Sequence, residues 1–117
     1  MESNLVIKAL GALAQETRLA IFRLLVQRGP EGYAAGAIGE MLSLPNATLS
    51  FHLKELTAAQ LITPQPSGRS IIYTADFSAM NQLLQFLTEN CCAGASYAPD
   101  TSCKPKSTLK RSKSWNA

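Results

Sequence analysis

The chain lacks the features that mark membrane and secreted proteins. Its 117 residues contain no apolar run near the roughly 20 residues that a membrane-spanning helix needs. The start, Met-Glu-Ser-Asn, has neither the basic segment nor the apolar segment of a signal peptide. We therefore expect a cytoplasmic protein with one compact domain and no membrane partner.

Groups that support catalysis are also scarce. The sequence has one histidine, and it contains no Cys-x-x-Cys motif, no glycine-rich phosphate loop and no paired carboxylates. A thiol-disulfide enzyme needs a cysteine beside a positive charge, and the adjacent Cys91 and Cys92 have no such neighbour in sequence. These absences indicate that the protein is not an enzyme.

Most of the chain lacks net positive charge. Five of the eleven Lys and Arg residues lie between residues 104 and 113, near a single acidic residue, Asp100. The other six basic residues are matched by seven acidic ones, so the body of the protein is close to neutral. If the body binds nucleic acid, it must do so through a local patch, for which Lys54, Arg69 and His52 are the candidates.

Helical and strand patterns follow one another in an informative order. Apolar residues at helical spacing indicate helices near residues 4–13, 15–28, 35–43, 45–61 and 77–90. The segment 62–74 has prolines in its first half, the turn signal Ser67-Gly68, and a β-type run after it. It predicts a hairpin with Arg69 at or near its tip. The first strand is expected at an edge, because prolines cannot complete a ladder of hydrogen bonds.

The predicted helix from Pro45 to Leu61 has an unusual outward face. Leu49, Leu53 and Leu56 form its buried stripe. The other side offers hydroxyl, imidazole and ammonium groups beside an aromatic ring, which is the mixture that a helix in the DNA major groove uses. The candidate contacts are Asn46, Thr48, Ser50, Phe51, His52 and Lys54, with Arg69 added from the hairpin.

These candidates have different expected roles. Asn46, Thr48 and Ser50 are expected to hydrogen-bond bases or phosphates, and Phe51 to contact a thymine methyl group. The imidazole and the lysine of this helix are expected to hold the DNA backbone. The hairpin arginine is expected to reach the flanking minor groove or a phosphate.

Two helices joined by a few residues and followed by a β-hairpin make a winged helix-turn-helix. We therefore predict a mainly α fold with a hairpin wing. Residues 1–92 form the predicted DNA-binding and dimerisation domain, and residues 93–117 a flexible basic tail that carries Cys103. The first and last helices have apolar faces too wide for one small body to bury, so we expect them to pair in a homodimer. Trp115 has no predicted role.

Cys91, Cys92 and Cys103 form a cluster near the end of the chain, and an odd number argues against a structural disulfide framework. Neighbouring thiols can share a ligand only where a helix unwinds, and the first two lie at the expected end of the last helix. Three thiolates suit trivalent arsenic or antimony, which forms three bonds to sulfur, whereas zinc usually takes four ligands. Two thiols are enough for a methylated trivalent arsenical. Incidental thiols, a redox switch, and cadmium or lead binding remain alternatives.

Three segments resemble the ArsR/SmtB family of bacterial winged-helix repressors. Residues 12–25 are similar to the opening of the family's second helix, residues 50–56 have its Ser-x-His-Leu-x-x-Leu spacing, and residues 68–73 are similar to its wing. The Glu-Asn-Cys-Cys sequence at 89–92 resembles an arsenic-responsive subgroup with cysteines at the end of the last helix. The resemblance implies a repressor without a cofactor, released from double-stranded operator DNA when As(III) or Sb(III) binds its thiolates.

The sequence departs from the family in two places. Gln60 occupies a position where the family often has glycine, which predicts a left-handed residue at a cost of about 1 kcal/mol, or a different turn. The helix at residues 35–42 has no cysteine, so a thiol sensor must lie elsewhere. Two other functions stay open: a related repressor that senses another soft metal or thiol oxidation, and a winged-helix protein-interaction module.

Overall fold

The computed structural model of the chain describes residues 1–94, which fold in the predicted order. The helices of this part are α1 (Ser3–Leu13), α2 (Glu16–Arg28), α3 (Ala35–Leu42), α4 (Asn46–Ala58) and α5 (Phe77–Leu87). Its strands are β1 (Tyr33–Ala34), β2 (Ile62–Ser67) and β3 (Ser70–Ala75), and short 3-10 turns occupy Gly29–Glu31 and Cys91–Gly94. The predicted mainly α fold with a hairpin wing is confirmed.

The described chain divides into two units. Residues Met1–Phe86 form one compact unit, and the second begins at Leu87. The predicted domain boundary at residue 92 stays a prediction, and Cys103 and Trp115 lie outside the described residues. None of the helices within residues 1–94 is long and apolar enough to cross a membrane.

The wing is a three-stranded antiparallel sheet with the strand order β1-β3-β2. Ile62 pairs with Ala75 at the base of the hairpin, and Tyr33 of β1 pairs with Tyr73 on the other side of β3. β2 is an edge strand, as its prolines predict. The sequence pattern did not predict β1, because two residues are too few to show the alternation that identifies a strand.

The core forms around the inner face of α4. The predicted stripe of Leu49, Leu53 and Leu56 is at most 3% exposed. It packs with apolar side chains from α1, α2, α3 and the start of the wing: Val6, Ala9, Ile21, Phe22, Leu25, Ile38, Leu61 and Ile62. Burial of this stripe determines how α4 is rotated about its axis, so its opposite face points outward.

α4 ends at Ala58, three residues before the predicted end. Gln60 is in the left-handed region with φ 64°. The Leu61 amide donates to the Leu56 carbonyl at 3.1 Å, and the Gln60 amide donates to the Thr57 carbonyl at 2.9 Å. These bonds form a Schellman motif, which usually has glycine at the left-handed position. Of the two expectations for Gln60, the left-handed residue is the one found.

The turn between α3 and α4 uses the same motif. Ser43 is left-handed with φ 54°, and the Leu44 amide donates to the Gly39 carbonyl at 2.9 Å. Pro45 then precedes α4 with φ −65°, a position where the missing N–H of proline costs nothing. Three residues therefore join the two helices of the helix-turn-helix.

Gly32 allows β1 to approach β3. Its φ is 66°, and a Cβ there would overlap the Tyr73 carbonyl oxygen and lie 2.7 Å from Thr74 Cγ2.

We expect Gly32→Ala to lower the free energy of unfolding by about 3 kcal/mol, because backbone strain and steric overlap add. Gly68→Ala is the matched control. Its φ is 61° with nothing within 4 Å, so it should cost only about 1 kcal/mol. If urea unfolding shows that the two variants lose the same free energy of unfolding, the steric overlap at Gly32 is contradicted.

Gln60→Gly should raise the free energy of unfolding by about 1 kcal/mol, since glycine adopts a positive φ without a steric penalty. Ala58→Gly, in the last turn of α4, should instead lower it by about 0.5 to 1 kcal/mol. Both changes are measured by denaturant unfolding. A loss of stability in Gln60→Gly would show that the glutamine side chain compensates for its backbone.

Candidate nucleic-acid interface and thiol pair

The outward face of α4 carries most of the predicted contact residues. Asn46, Thr48, Ser50, Phe51 and Lys54 are exposed there. Phe51 is 54% exposed, whereas large aromatic side chains are more often buried. The face therefore combines hydrogen-bonding groups, one ring and one cation without being strongly charged.

A groove of about 780 Å³ lies between α4 and the wing. Ser50 and Lys54 line it from α4, and Arg69 and Ser70 line it from the wing. Two cations and several hydroxyl groups from separate elements thus line one space, together with apolar residues such as Leu53 and Ile71. Hydroxyl, ammonium and guanidinium groups are the side chains that bind phosphate oxygens of nucleic acids, so the groove suits a sugar-phosphate strand.

Ser70 is a residue of this groove that sequence reasoning missed. It is the first residue of β3 and pairs with Ser67 across the tip of the hairpin. A serine in a turn-rich segment has no distinguishing pattern, so only the register of the hairpin shows that it faces the groove.

His52 is the exception among the predicted contacts. Its side chain is only 8% exposed, and Arg18 Nη1 lies 3.2 Å from its Nδ1. Burial, and then the charge of Arg18, lowers the pKa of His52 below its usual 6.5, while Glu55 opposes the shift. The His52 side chain is thus turned toward Arg18, unlike the exposed candidates of the same helix. Its expected contact with DNA stays a prediction.

Cys91 and Cys92 follow the end of α5. That helix ends at Leu87, three residues before its predicted end. Asn90, Cys92 and Ala93 are left-handed with φ of 56° to 57°, so α5 does not continue through the pair. Burial, followed by the hydrogen bond and charge of Cys92, raises the pKa of the Cys91 thiol.

Two of the three predicted sulfur ligands lie in the described part of the chain. Cys91 is partly buried and Cys92 is exposed. Cys103 lies outside the described residues. Within residues 1–94, no group of three or more His, Cys, Asp or Glu side chains is placed to hold a metal ion. The three-cysteine site stays a prediction.

Comparison with known proteins agrees with the observed fold. Residues 13–65 match a family model described as a helix-turn-helix domain. The nodulation protein NolR of Rhizobium meliloti is 31% identical over 80 residues, which cover 68% of this chain and 63% of that protein. The chain therefore spans less than two thirds of the length of this relative.

Solved structures have the same architecture. An ArsR-like transcriptional regulator from Rhodococcus sp. RHA1 has a TM-score of 0.64 at 26% identity, over 72% of this chain and 76% of that one. A homodimeric winged helix-turn-helix DNA-binding domain from Mycobacterium bovis, a possible ArsR-family regulator, has a TM-score of 0.59 at 24% identity. The alignment covers 81% of this chain and 88% of that one. The chain thus contains a winged helix-turn-helix domain, and its structural neighbours include an ArsR-like transcriptional regulator and a homodimeric winged helix-turn-helix DNA-binding domain.

Proposed function

We propose that the protein is a transcriptional repressor that binds operator DNA as a homodimer and releases it when trivalent arsenic or antimony binds its thiols. One observation carries the DNA-binding half of this proposal. The exposed face of α4, with Phe51 at its centre, stands beside a groove that Lys54 and Arg69 line from two different elements. The similarity to a transcriptional regulator and to a DNA-binding domain supports the same function.

In the proposed complex, α4 enters the major groove. Asn46 and Thr48 at its start and Ser50 in its second turn hydrogen-bond base edges or phosphates, and Phe51 contacts a thymine methyl group. The sugar-phosphate strand beside that groove follows the space between α4 and the wing, where the two cations hold it. Because the rest of the body is near neutral, these few contacts supply most of its affinity for DNA.

A homodimer presents two copies of α4 to one duplex. On α1, Ile7 is 67% exposed and Leu10 is 42% exposed, and on α5, Leu84 is 53% exposed. Large apolar side chains at this exposure favour burial against a second copy of the chain. The neighbour from Mycobacterium bovis is homodimeric. A two-fold axis then directs the two reading helices to successive major grooves, about 34 Å apart, on an inverted repeat.

The chemistry of the thiol pair favours arsenic over a divalent cation. Burial and the neighbouring Cys92 raise the pKa of Cys91, which favours the protonated thiol. Arsenous acid reacts with the protonated thiol directly. For each thiol, one As–OH bond breaks, the hydroxyl group takes up the thiol proton and leaves as water, and an As–S bond forms. Cadmium or zinc must instead drive the proton into solvent, so their binding weakens as the thiol pKa rises.

Capture of the ligand just beyond α5 is proposed to change the subunit contact to which α5 contributes. The left-handed backbone of Asn90, Cys92 and Ala93 interrupts the helix beside the thiols, so helical geometry does not hold the two side chains apart. A coupling of about 3 kcal/mol between the two sites weakens operator binding on the order of a hundredfold, which is enough to derepress a promoter.

The DNA-binding half is tested with a duplex selected by the wild-type protein from a random-sequence library. Lys54→Ala and Arg69→Ala should weaken binding to this duplex and to a scrambled one equally. Each should reduce the slope of log affinity against log salt by about 1, because one phosphate contact is lost. Ser50→Ala should weaken binding to the selected duplex more than to the scrambled one. Fluorescence anisotropy between about 50 and 200 mM salt measures both effects.

Arg23→Ala is the matched control, because Arg23 is an exposed arginine on the far side of α2 from the buried face. Its salt slope should equal that of the wild type. A protein that selects no duplex, or binds without dependence on salt, would instead be a protein-interaction module.

The sensing half is tested by adding arsenite to the complex with the selected duplex. Arsenite should release the wild-type protein but neither Cys91→Ser nor Cys92→Ser, because each change removes a sulfur ligand. The Cys103→Ser variant should no longer be released from the duplex by arsenite. It should still be released by methylarsonous acid, which needs only two thiols. The measurement is anisotropy in a thiol-free reductant.

The outcomes of that titration separate the alternatives. Release by cadmium or lead and not by arsenite would identify a repressor for another soft metal, and release by peroxide alone would identify a thiol-oxidation sensor. If the wild-type protein stays bound to the duplex at saturating arsenite, the proposed metalloid sensing is contradicted. The proposed DNA binding is not affected by that result.

A further inference from the structure

One guanidinium group connects three helices. Arg18 is half-buried in the first turn of α2. Its Nε donates a 2.8 Å hydrogen bond to the carbonyl oxygen of Ala12, near the end of α1. Its Nη1 lies 3.2 Å from Nδ1 of His52 on α4. The Arg18 backbone amide donates to the side chain of Gln15 at 2.9 Å, so the start of α2 is held as well.

The direction of the bond to His52 follows from the chemistry of arginine. A guanidinium group has donors and no acceptor, so His52 Nδ1 must accept and the imidazole proton must be on Nε2. The charged groups that face the ring are Arg18 from α2 and Glu55 from α4 itself. Protonation of the ring would place an N–H against the N–H groups of Arg18, so the bridge exists only with neutral His52.

The same imidazole touches a residue of the outer face. The rings of Phe51 and His52 meet edge to face, with centroids 5.5 Å apart and an interplanar angle of 62°. Edge-to-face contact is a favoured geometry for aromatic pairs, so the position of His52 limits the positions open to the Phe51 ring. The inner contact at Arg18 is thus connected through one side chain to the proposed base contact.

We propose that Arg18 is a positioning residue for DNA recognition, which holds α4 at one orientation to the end of α1 through His52. This rests on the DNA binding proposed above and names a source of its sequence discrimination. Arg18 itself touches no DNA, because it contacts the inner side of α4.

A directional bond is needed here because the leucine contacts of α4 do not supply one. Apolar burial is non-directional, so Leu49, Leu53 and Leu56 tolerate small rotations and shifts of the helix. Base-edge hydrogen bonds require donor and acceptor within about 2.7 to 3.2 Å. The fork of a guanidinium group has fixed geometry, so two bonds from Arg18 to two other helices define one arrangement.

Arg18→Lys tests the proposal, because a lysine keeps the charge and lacks the fork. Its affinity for the selected duplex should fall about tenfold, while its affinity for a scrambled duplex stays at the wild-type value. His52→Leu should lose the same discrimination. His52→Gln should keep it within about threefold, because the amide oxygen can accept the bond from Arg18.

Arg23→Lys is the matched control, with the same exchange at an exposed position of α2. Its affinity ratio between the two duplexes should not change. All ratios are measured at a temperature where thermal melting shows each variant to be fully folded, so that loss of stability does not enter. A purely structural role for Arg18 would lower the melting temperature and leave the ratio unchanged, which would overturn the proposal.

Nitrogen NMR gives a second readout that does not depend on DNA. The chain has one histidine, so its imidazole signals need no assignment. Wild-type protein should show the Nε2–H tautomer and a pKa below 6.5, and Arg18→Met should lose the tautomer preference and titrate closer to 6.5. Equal populations of the two His52 tautomers in the wild-type protein would contradict the hydrogen bond from Arg18 to His52. If the wild type selects no duplex, both proposals fail; if it does and Arg18→Lys keeps the ratio, only this one fails.

Discussion

Burial of one face of α4 is the constraint on which the proposed interface depends. Leu49, Leu53 and Leu56 lie on one side of that helix and are removed from water by α1, α2 and the base of the wing. A rotation large enough to turn this face outward would expose these side chains at a cost of about 1.5 to 3 kcal/mol each. The outward position of Ser50, Phe51 and Lys54 is therefore a consequence of core packing.

Helix ends then place the neighbouring elements around α4. Ser43 and Gln60 are left-handed residues that end α3 and α4 within a single turn, so that the chain can reverse immediately. The Asp76 amide donates to the Leu61 carbonyl at 2.8 Å, which closes the hairpin at its base and returns the chain beside the end of α4. Because β2 begins and β3 ends at this point, the base of the wing lies beside the end of α4.

The two proposed sites depend on different physics. The face of α4 is nearly neutral and offers directional groups, so its discrimination between DNA sequences depends on the angle of one helix, to which the bridge from Arg18 contributes. The proposed thiol site depends on local structure, since Cys91 and Cys92 are adjacent in the chain just beyond the end of α5. The subunit contact is the proposed connection between them.

Local signals in the sequence were enough for the order of the five helices and the hairpin, and they gave a left-handed Gln60 as one of two expectations. Each is decided by residues close in the chain: leucines one turn apart, prolines in an edge strand, and a Schellman turn within six residues. The exposed positions of Asn46, Thr48, Ser50, Phe51 and Lys54 followed from the same helical period.

Tertiary contacts decided what periodicity could not. His52 lies at the border between the inner and outer faces of α4, where helical spacing permits either direction, and Arg18, 34 residues earlier, draws it inward. Likewise β1 exists because Gly32 lets two residues reach β3, and Ser70 faces the groove because of the hairpin register. The physical reason is that contacts between segments decide these positions, and such contacts leave no periodic trace in the segments that make them.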